Sequence, residues 1–187
     1  MRETAPRDTL IVMRRVAIFC LPLLALALPA TALGLRAADG DGTLVVQNGT
    51  APRGLAVVTL VINGTAIGHV STGSPDQVDT VVIDDPNNTN NIGASVVNGA
   101  PSLTRKTISG TETKFIGSDF RFRAADGVYK VWIYGSGVDV VAVGRGTVTL
   151  TGTPDTPLGD GVYSLNGDAF HSLPGFPTPK LTIGSSG

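Results

Sequence analysis

The segment from residue 120 to residue 134 carries the side chains best suited to binding a ligand. Its first part alternates phenylalanine with arginine, and its second part holds the only tryptophan of the chain. An aromatic ring flanked by guanidinium groups suits sugar rings and anionic polymers, because the ring offers a flat face and arginine offers planar donors. The candidate ligand-binding residues are Arg121, Arg123, Lys130, Trp132 and Tyr134. The same pairs also stabilise an exposed sheet by about 0.2–1 kcal/mol each without any ligand.

An Asp126-Gly127 dipeptide separates the two parts of this segment. Asp-Gly between alternating hydrophobic residues favours a two-residue hairpin turn, which here would pair Ala125 with Val128. In that register the five candidates share one face of the hairpin and the apolar side chains share the other. The residues expected on the apolar face are Phe120, Phe122, Tyr129, Val131 and Ile133, with Phe122 facing Val131.

Oxygen-rich loops make calcium the one cofactor that the sequence suggests. Calcium takes six to eight oxygen ligands, which aspartate-rich turns supply. The weak candidates are Asp39 and Asp41 in one loop and Asp84 and Asp85 in another. Neither loop matches a recognised calcium motif, so the sequence predicts no metal site beyond this suggestion.

Patterns typical of common catalytic sites are absent from the sequence. The two histidines, His69 and His171, do not stand in an H-E-x-x-H spacing, and no G-x-S-x-G motif occurs. Glu112 is the only glutamate after residue 3, whereas a glycosidase usually needs two carboxylates that flank a cleft. The sequence therefore predicts a protein without catalytic residues. A hydrolase acting on an extracellular polymer, with a site assembled from loops, is the alternative.

Short runs of Val, Ile, Thr, Tyr and Phe, each closed by a turn, indicate the elements that position these residues. Helical periodicity is almost absent, and 24 glycines and 12 prolines interrupt the chain. This spacing predicts an all-β fold, an antiparallel sandwich or flattened barrel of roughly ten short strands. The predicted strands include Leu55–Ile62, Thr65–Ser71, Phe120–Ala124, Val128–Tyr134, Val138–Val143 and Thr147–Thr151.

The N-terminus reads as a cleavable signal peptide. Thirteen uncharged residues, Val16 to Leu28, follow an arginine pair and precede a small-x-small cleavage site. The run is too short to span a bilayer, so no membrane span is expected in the mature chain. The predicted organisation is a signal peptide over 1–32, which starts at Met1 or at Met13 and is cleaved after Ala32 or near Ala38. It is followed by an extension over 33–42, one domain over 43–183 and a flexible tail over 184–187.

The composition gives further indications of where the protein is located and which partners it binds. Cys20 leaves with the signal peptide, so the mature chain has no disulfide, which favours a bacterial source. A net charge of −1 argues against nucleic acid as a partner. We expect a secreted or envelope-associated structural or adhesive module, which meets an extracellular polysaccharide or a cell-envelope protein.

Four segments, in this order along the chain, carry a resemblance. They are Gly42–Gly49, Phe120–Arg123, Gly135–Gly144 and Gly161–Gly167. Together they resemble a group of small secreted β-proteins of actinobacteria. The resemblance implies export and an all-β fold, and it implies no activity.

Overall fold

The computed structural model describes residues 38–71, 79–86, 94–97, 103–153 and 161–185. The signal peptide predicted over residues 1–32 lies outside the described residues, as does the end of the predicted tail at residues 186–187. The described part of the chain contains no helix, and therefore no helix long and apolar enough to cross a membrane.

Eleven strands form the described fold, and every pair of neighbours is antiparallel. The strands are β1 (Gly42–Gly49), β2 (Val58–Val70), β3 (Asp79–Asp84), β4 (Ala94–Val97), β5 (Thr104–Thr107), β6 (Glu112–Gly117), β7 (Phe120–Tyr134), β8 (Val138–Leu150), β9 (Val162–Leu165), β10 (His171–Ser172) and β11 (Leu181–Ile183). The all-β antiparallel class predicted from the sequence is confirmed.

All eleven strands belong to one hydrogen-bonded sheet. Its order is β10-β9-β1-β8-β2-β7-β3-β6-β5, with β11 beside β8 and β4 beside β7. The two ends of this path, β10 and β5, do not pair with each other among the described residues, so the sheet is not closed into a barrel.

Three long strands, β2, β7 and β8, form the centre of the sheet. β2 lies between the other two and pairs with both of them along its length. The sequence predicted each of these strands as two shorter ones separated by a turn. Those turns, at residues 63–64, 126–127 and 144–146, are wrong, because the backbone continues through all three sites in ladder register.

The three sites lie side by side across the sheet. Gly64 on β2 is the register partner of Gly127 on β7 and of Gly144 on β8. We call these three residues, together with Gly146, the glycine seam. The seam divides the sheet into two halves. The arginine half contains β1, β4, β9, β10 and residues 65–70, 120–124 and 138–143, and the tryptophan half contains β3, β5, β6, β11 and residues 58–62, 129–134 and 146–150.

Close backbone contact explains why glycine occupies the seam. A Cβ atom on Gly64 would lie 2.2 Å from the carbonyl oxygen of Val143, and one on Gly144 would lie 2.3 Å from that of Asn63. Both glycines also have positive φ angles, 154° and 149°, which other residues rarely adopt. Glycine at these positions therefore lets the backbones of β2 and β8 approach each other where a side chain would hold them apart.

A β-bulge in β7 accompanies the seam. Between the pairs Ala66–Ala124 and Gly64–Gly127, β2 has one residue and β7 has two. Asp126, one of those two, adopts a φ of 56°. The Thr65 hydroxyl donates to its carboxylate at 3.1 Å, and the Asp126 N–H donates to the same hydroxyl at 3.2 Å. These two bonds hold the extra residue in place.

The bulge reverses which residues of β7 face inward, as the predicted hairpin would also have done. Phe122 pairs with Gly68 of β2 and with the backbone position of Val96 in β4, so its predicted pairing with Val131 is wrong. The side chains predicted for the apolar face are nonetheless the buried ones: Phe120, Phe122, Tyr129, Val131 and Ile133. The extra residue moves the side chains that follow it to the opposite face of the strand. The predicted two-residue turn would have placed the same side chains on the apolar face.

One face of the sheet buries a continuous core to which both halves contribute. Leu44, Val140 and Phe122 of the arginine half join Leu60 and Ile83 of the tryptophan half in the same cluster.

The two ends of the described chain meet at one corner. The Ser185 N–H donates to the Gly40 carbonyl at 2.9 Å, and Arg145 forms an ion pair with Asp41 at 3.4 Å. Gly184 donates its N–H to the side chain of Asn166 at 2.9 Å. The described residues of the predicted extension and tail are thus held against the domain.

The close contacts at the seam predict that alanine substitutions lower the free energy of unfolding by amounts that differ between positions. Gly64→Ala and Gly146→Ala should each lower the free energy of unfolding by about 2 kcal/mol or more, because the new Cβ meets a backbone oxygen within 2.2 Å or less. Gly110→Ala is the matched control, since a Cβ there has no atom within 4 Å, and it should change stability by less than about 0.5 kcal/mol. Urea unfolding measures all three, and equal effects at the three positions would contradict the close-contact explanation.

Candidate functional site

The five candidate binding residues share the outer face of β7, but they form two groups rather than one. Arg121 and Arg123 precede the bulge, whereas Lys130, Trp132 and Tyr134 follow it. Because β7 continues straight through, Arg123 and Lys130 lie about 20 Å apart at the usual rise of a strand. The single cluster predicted from a hairpin is therefore wrong.

The second group lies in the tryptophan half. Trp132 is half-buried, with Thr59 on one side and Val82 on the other in cross-strand register. Lys130 is exposed and lies opposite Asp84 of β3. Tyr134 is half-buried opposite Thr80. This surface is a sheet face with a central indole.

The first group borders a groove on the outer face of the arginine half. Val45 of β1, Val141 of β8 and Ile67 of β2 are successive register partners and form an apolar floor. The groove has a volume of about 630 Å³. Its polar lining consists of Gln47, Asn48, His69, Arg121 and Asp139. We call this site the outer groove.

Both ring nitrogens of His69 face carboxylates. Nε2 lies 2.8 Å from Oδ1 of Asp119, and Nδ1 lies 3.9 Å from Oδ2 of Asp139. Asp139 also accepts a hydrogen bond of 2.8 Å from the Asn48 N–H through its other oxygen. The imidazole thus engages the two acidic side chains that border the groove.

Unlike His69, the two arginines lie near no carboxylate partner among the described residues. Within the described residues, the guanidinium groups of Arg121 and Arg123 form no ion pair and no hydrogen bond. Arg121 is the register partner of His69, and Arg123 is that of Ile67, so both stand beside the groove on the same wall. Both side chains are exposed. The outer groove therefore combines an apolar floor with two available planar cations.

The calcium candidates lie at two separate places. Asp41 is engaged by Arg145 and by the Ala38 N–H, which donates to it at 2.8 Å. Asp84 and Asp85 lie at the end of β3, where Lys130 faces Asp84. Among the residues that the structure describes, no group of three or more His, Cys, Asp or Glu side chains could hold a metal ion.

Sequence reasoning missed the apolar floor, the position of His69 and one exposed aromatic residue. Phe176 exposes 76% of its surface, although it belongs to a loop held at both ends. Pro174 accepts a backbone bond of 2.6 Å from Gly152, and the Thr178 hydroxyl accepts one of 2.9 Å from the Leu150 N–H. The prolines around this residue were the only sequence signal for a rigid exposed loop.

Tyr129 lies beneath the bulge that separates the two groups. Its hydroxyl donates to the Ala125 carbonyl at 2.7 Å, inside the bulge. Burial raises the pKa of this phenol above its ordinary value, and the charges of Asp85 and Asp126 raise it further. The protonated phenol is thus part of what holds the bulge closed.

No protein family, no curated protein and no solved structure matches the chain. The resemblance to secreted actinobacterial β-proteins therefore stays a prediction.

Tyr129 should make the protein sensitive to alkali. Above pH of about 10 the unfolded chain loses the phenolic proton before the folded chain does, so the free energy of unfolding should fall as pH rises. Tyr129→Phe should cost about 1 kcal/mol at pH 7, from the lost hydrogen bond, and should show a smaller decline between pH 9 and pH 11. Urea unfolding across this pH range measures both effects. The same alkaline decline in both proteins would contradict this role for the phenol.

Proposed function

We propose that this chain is an exported, non-catalytic β-domain that acts as a structural or adhesive module of the cell envelope or extracellular space. We place its binding site at the outer groove and propose that the ligand is an extracellular polysaccharide. The observation that carries the proposal is the apolar strip of Val45, Val141 and Ile67 beside two guanidinium groups that have no ion-pair or hydrogen-bond partner among the residues that the structure describes. Apolar floors with a few placed polar groups are typical of ligand sites.

The arrangement around His69 supports a role without catalysis. A histidine that activates a nucleophile must reach a hydroxyl or thiol with one ring nitrogen. Both nitrogens of His69 instead face aspartates, and the described residues that line the outer groove include no serine, threonine or cysteine.

One observation favours the alternative, a hydrolase. Asp119 and Asp139 stand on opposite sides of one imidazole at the groove, and paired carboxylates on either side of a bound sugar are the machinery of glycosidases. In a hydrolase, the reducing ends of a bound polysaccharide would increase with time, and Asp119→Asn would stop that increase.

A cell-envelope protein is the second partner that we propose. Phe176 is a large aromatic side chain held out on a pinned loop, and exposed aromatic residues of this kind often anchor protein contacts. Since Phe176 does not line the outer groove, Phe176→Ser should leave polysaccharide binding unchanged.

A charge placed on the groove floor tests the proposed site. Val141→Glu puts a charged carboxylate between Val45 and Ile67 and should weaken binding to an insoluble cell-wall polysaccharide at least tenfold. Thr149→Glu makes the same addition on the outer face of the same strand, in the tryptophan half, and should bind as the wild type does. Sedimentation with insoluble cell-wall and extracellular polysaccharides measures the bound fraction, and urea unfolding verifies that both variants fold.

Three other outcomes would each overturn a different part of the proposal. Equal binding by Val141→Glu and the wild type would remove the outer groove as the site. Loss of binding only in Thr149→Glu would move the site to the Trp132 face. Release of reducing ends that Asp119→Asn stops would replace the binding module with a hydrolase.

A further inference from the structure

Charge around the outer groove is separated in a way that favours an acidic ligand. Of the four charged side chains beside it, the two aspartates, Asp119 and Asp139, are engaged by His69. The two arginines, Arg121 and Arg123, have no ion-pair or hydrogen-bond partner among the described residues. Asp119 lies within hydrogen-bond distance of His69, and Asp139 accepts a hydrogen bond from the Asn48 N–H. Among the described residues, the two guanidinium groups are therefore the charged groups beside the groove that are left for a ligand to pair with.

The two arginines are also arranged to act together. They stand two residues apart on one face of β7, so their Cα atoms are about 7 Å apart along one wall of the groove. A guanidinium group donates two parallel hydrogen bonds to a carboxylate or a phosphate. A ligand that lies along the floor beside this wall could meet both groups with successive anionic units.

The position of the floor argues for a polysaccharide rather than a peptide. β8 and β2 have hydrogen-bonded neighbours on both sides over the groove, so their backbone N–H and C=O groups are engaged in the sheet. An extended peptide usually binds a sheet by pairing with a free edge strand, and this floor offers none. The apolar faces of sugar rings need only the aliphatic surface of Val45, Val141 and Ile67, while ring hydroxyls stay in water.

We propose that the outer groove recognises an acidic polysaccharide, with Arg121 and Arg123 binding its carboxylate or phosphate groups and the apolar floor contacting its sugar rings. This inference rests on the proposed function, because it names the class of polymer that the same groove binds. It adds a specificity that the proposed function does not require: acidic chains over neutral ones.

Four soluble probes test it on the purified protein by isothermal titration calorimetry. They are polygalacturonate as the carboxylated glycan, phosphorylated dextran as the phosphate-bearing glycan, unmodified dextran as the neutral glycan and polyglutamate as the acidic peptide. We expect polygalacturonate or phosphorylated dextran to bind at least tenfold more tightly than unmodified dextran and polyglutamate. The stronger of the two acidic probes identifies the anionic group.

A charge-matched pair of variants separates recognition from general attraction. Arg121→Gln with Arg123→Gln should weaken binding of the preferred acidic probe at least tenfold. Lys106→Gln with Lys114→Gln removes the same two charges from the tryptophan half, where these lysines lie opposite each other on β5 and β6. This control should bind within twofold of the wild type. Arg121→Lys with Arg123→Lys should bind less tightly than the wild type, because lysine lacks the paired donors.

The failures of the two proposals are distinguishable. Equal affinity for dextran and the acidic glycans, with no effect of the arginine double variant, would overturn this inference and leave the polysaccharide module standing. No binding of any glycan, soluble or insoluble, would overturn both. Tighter binding of polyglutamate than of either acidic glycan would assign the groove to acidic peptides instead. Equal losses in the arginine and lysine double variants would reduce the effect to net charge and overturn the inference.

Discussion

Contact between backbones at the glycine seam is the constraint on which the rest of this fold depends. β2 and β8 pass so close that a Cβ on Gly64, Gly144 or Gly146 would lie within 2.3 Å of a carbonyl oxygen of the other strand. Real Cβ contacts do not occur at such distances, so these positions require glycine. The seam therefore sets which residue type can occupy the row at which the three longest strands lie side by side.

The bulge in β7 is the counterpart of the seam on the third central strand. Its extra residue changes the alternation of inward and outward side chains, so that Phe122 and Tyr129 both reach the core although six residues separate them in sequence. The same shift keeps Arg123 and Trp132 outward on either side of it. Side chains of β7 therefore reach the core on both sides of the seam only because the bulge shifts the alternation at that row of the sheet.

The fold class could be predicted from the sequence, but the connections could not. Strand-forming runs and the absence of helical periodicity are local signals, and they predicted an all-β antiparallel protein correctly. Asn63-Gly64 and Asp126-Gly127 also have a strong local preference, since these dipeptides favour hairpin turns. Here Gly64 serves the close approach of β2 to β8, a requirement set by a strand that is distant in sequence, whereas a Cβ on Gly127 would meet the buried side chain of Tyr129. Local turn chemistry cannot distinguish the two uses.

The candidate site shows the same division between local and non-local information. Which side chains of β7 point outward follows from alternation alone, and that prediction matched the structure. Which of them are neighbours depends on whether the chain turns at residue 126, and there the prediction failed. The floor of the outer groove joins residues of β1, β2 and β8, whose pairing the sequence pattern does not specify.

The distance between residues 123 and 130 tests the central claim most directly, namely that β7 runs straight through its bulge. Arg123→Cys and Lys130→Cys, introduced together with Cys20→Ser, allow a spin label at each exposed position, and double electron–electron resonance measures their separation. A continuous strand predicts a separation of about 20 Å. A hairpin would place the same two residues directly opposite each other, with Cα atoms about 5 Å apart, and a separation that short would contradict the seam, the bulge and the division of the candidate residues into two groups.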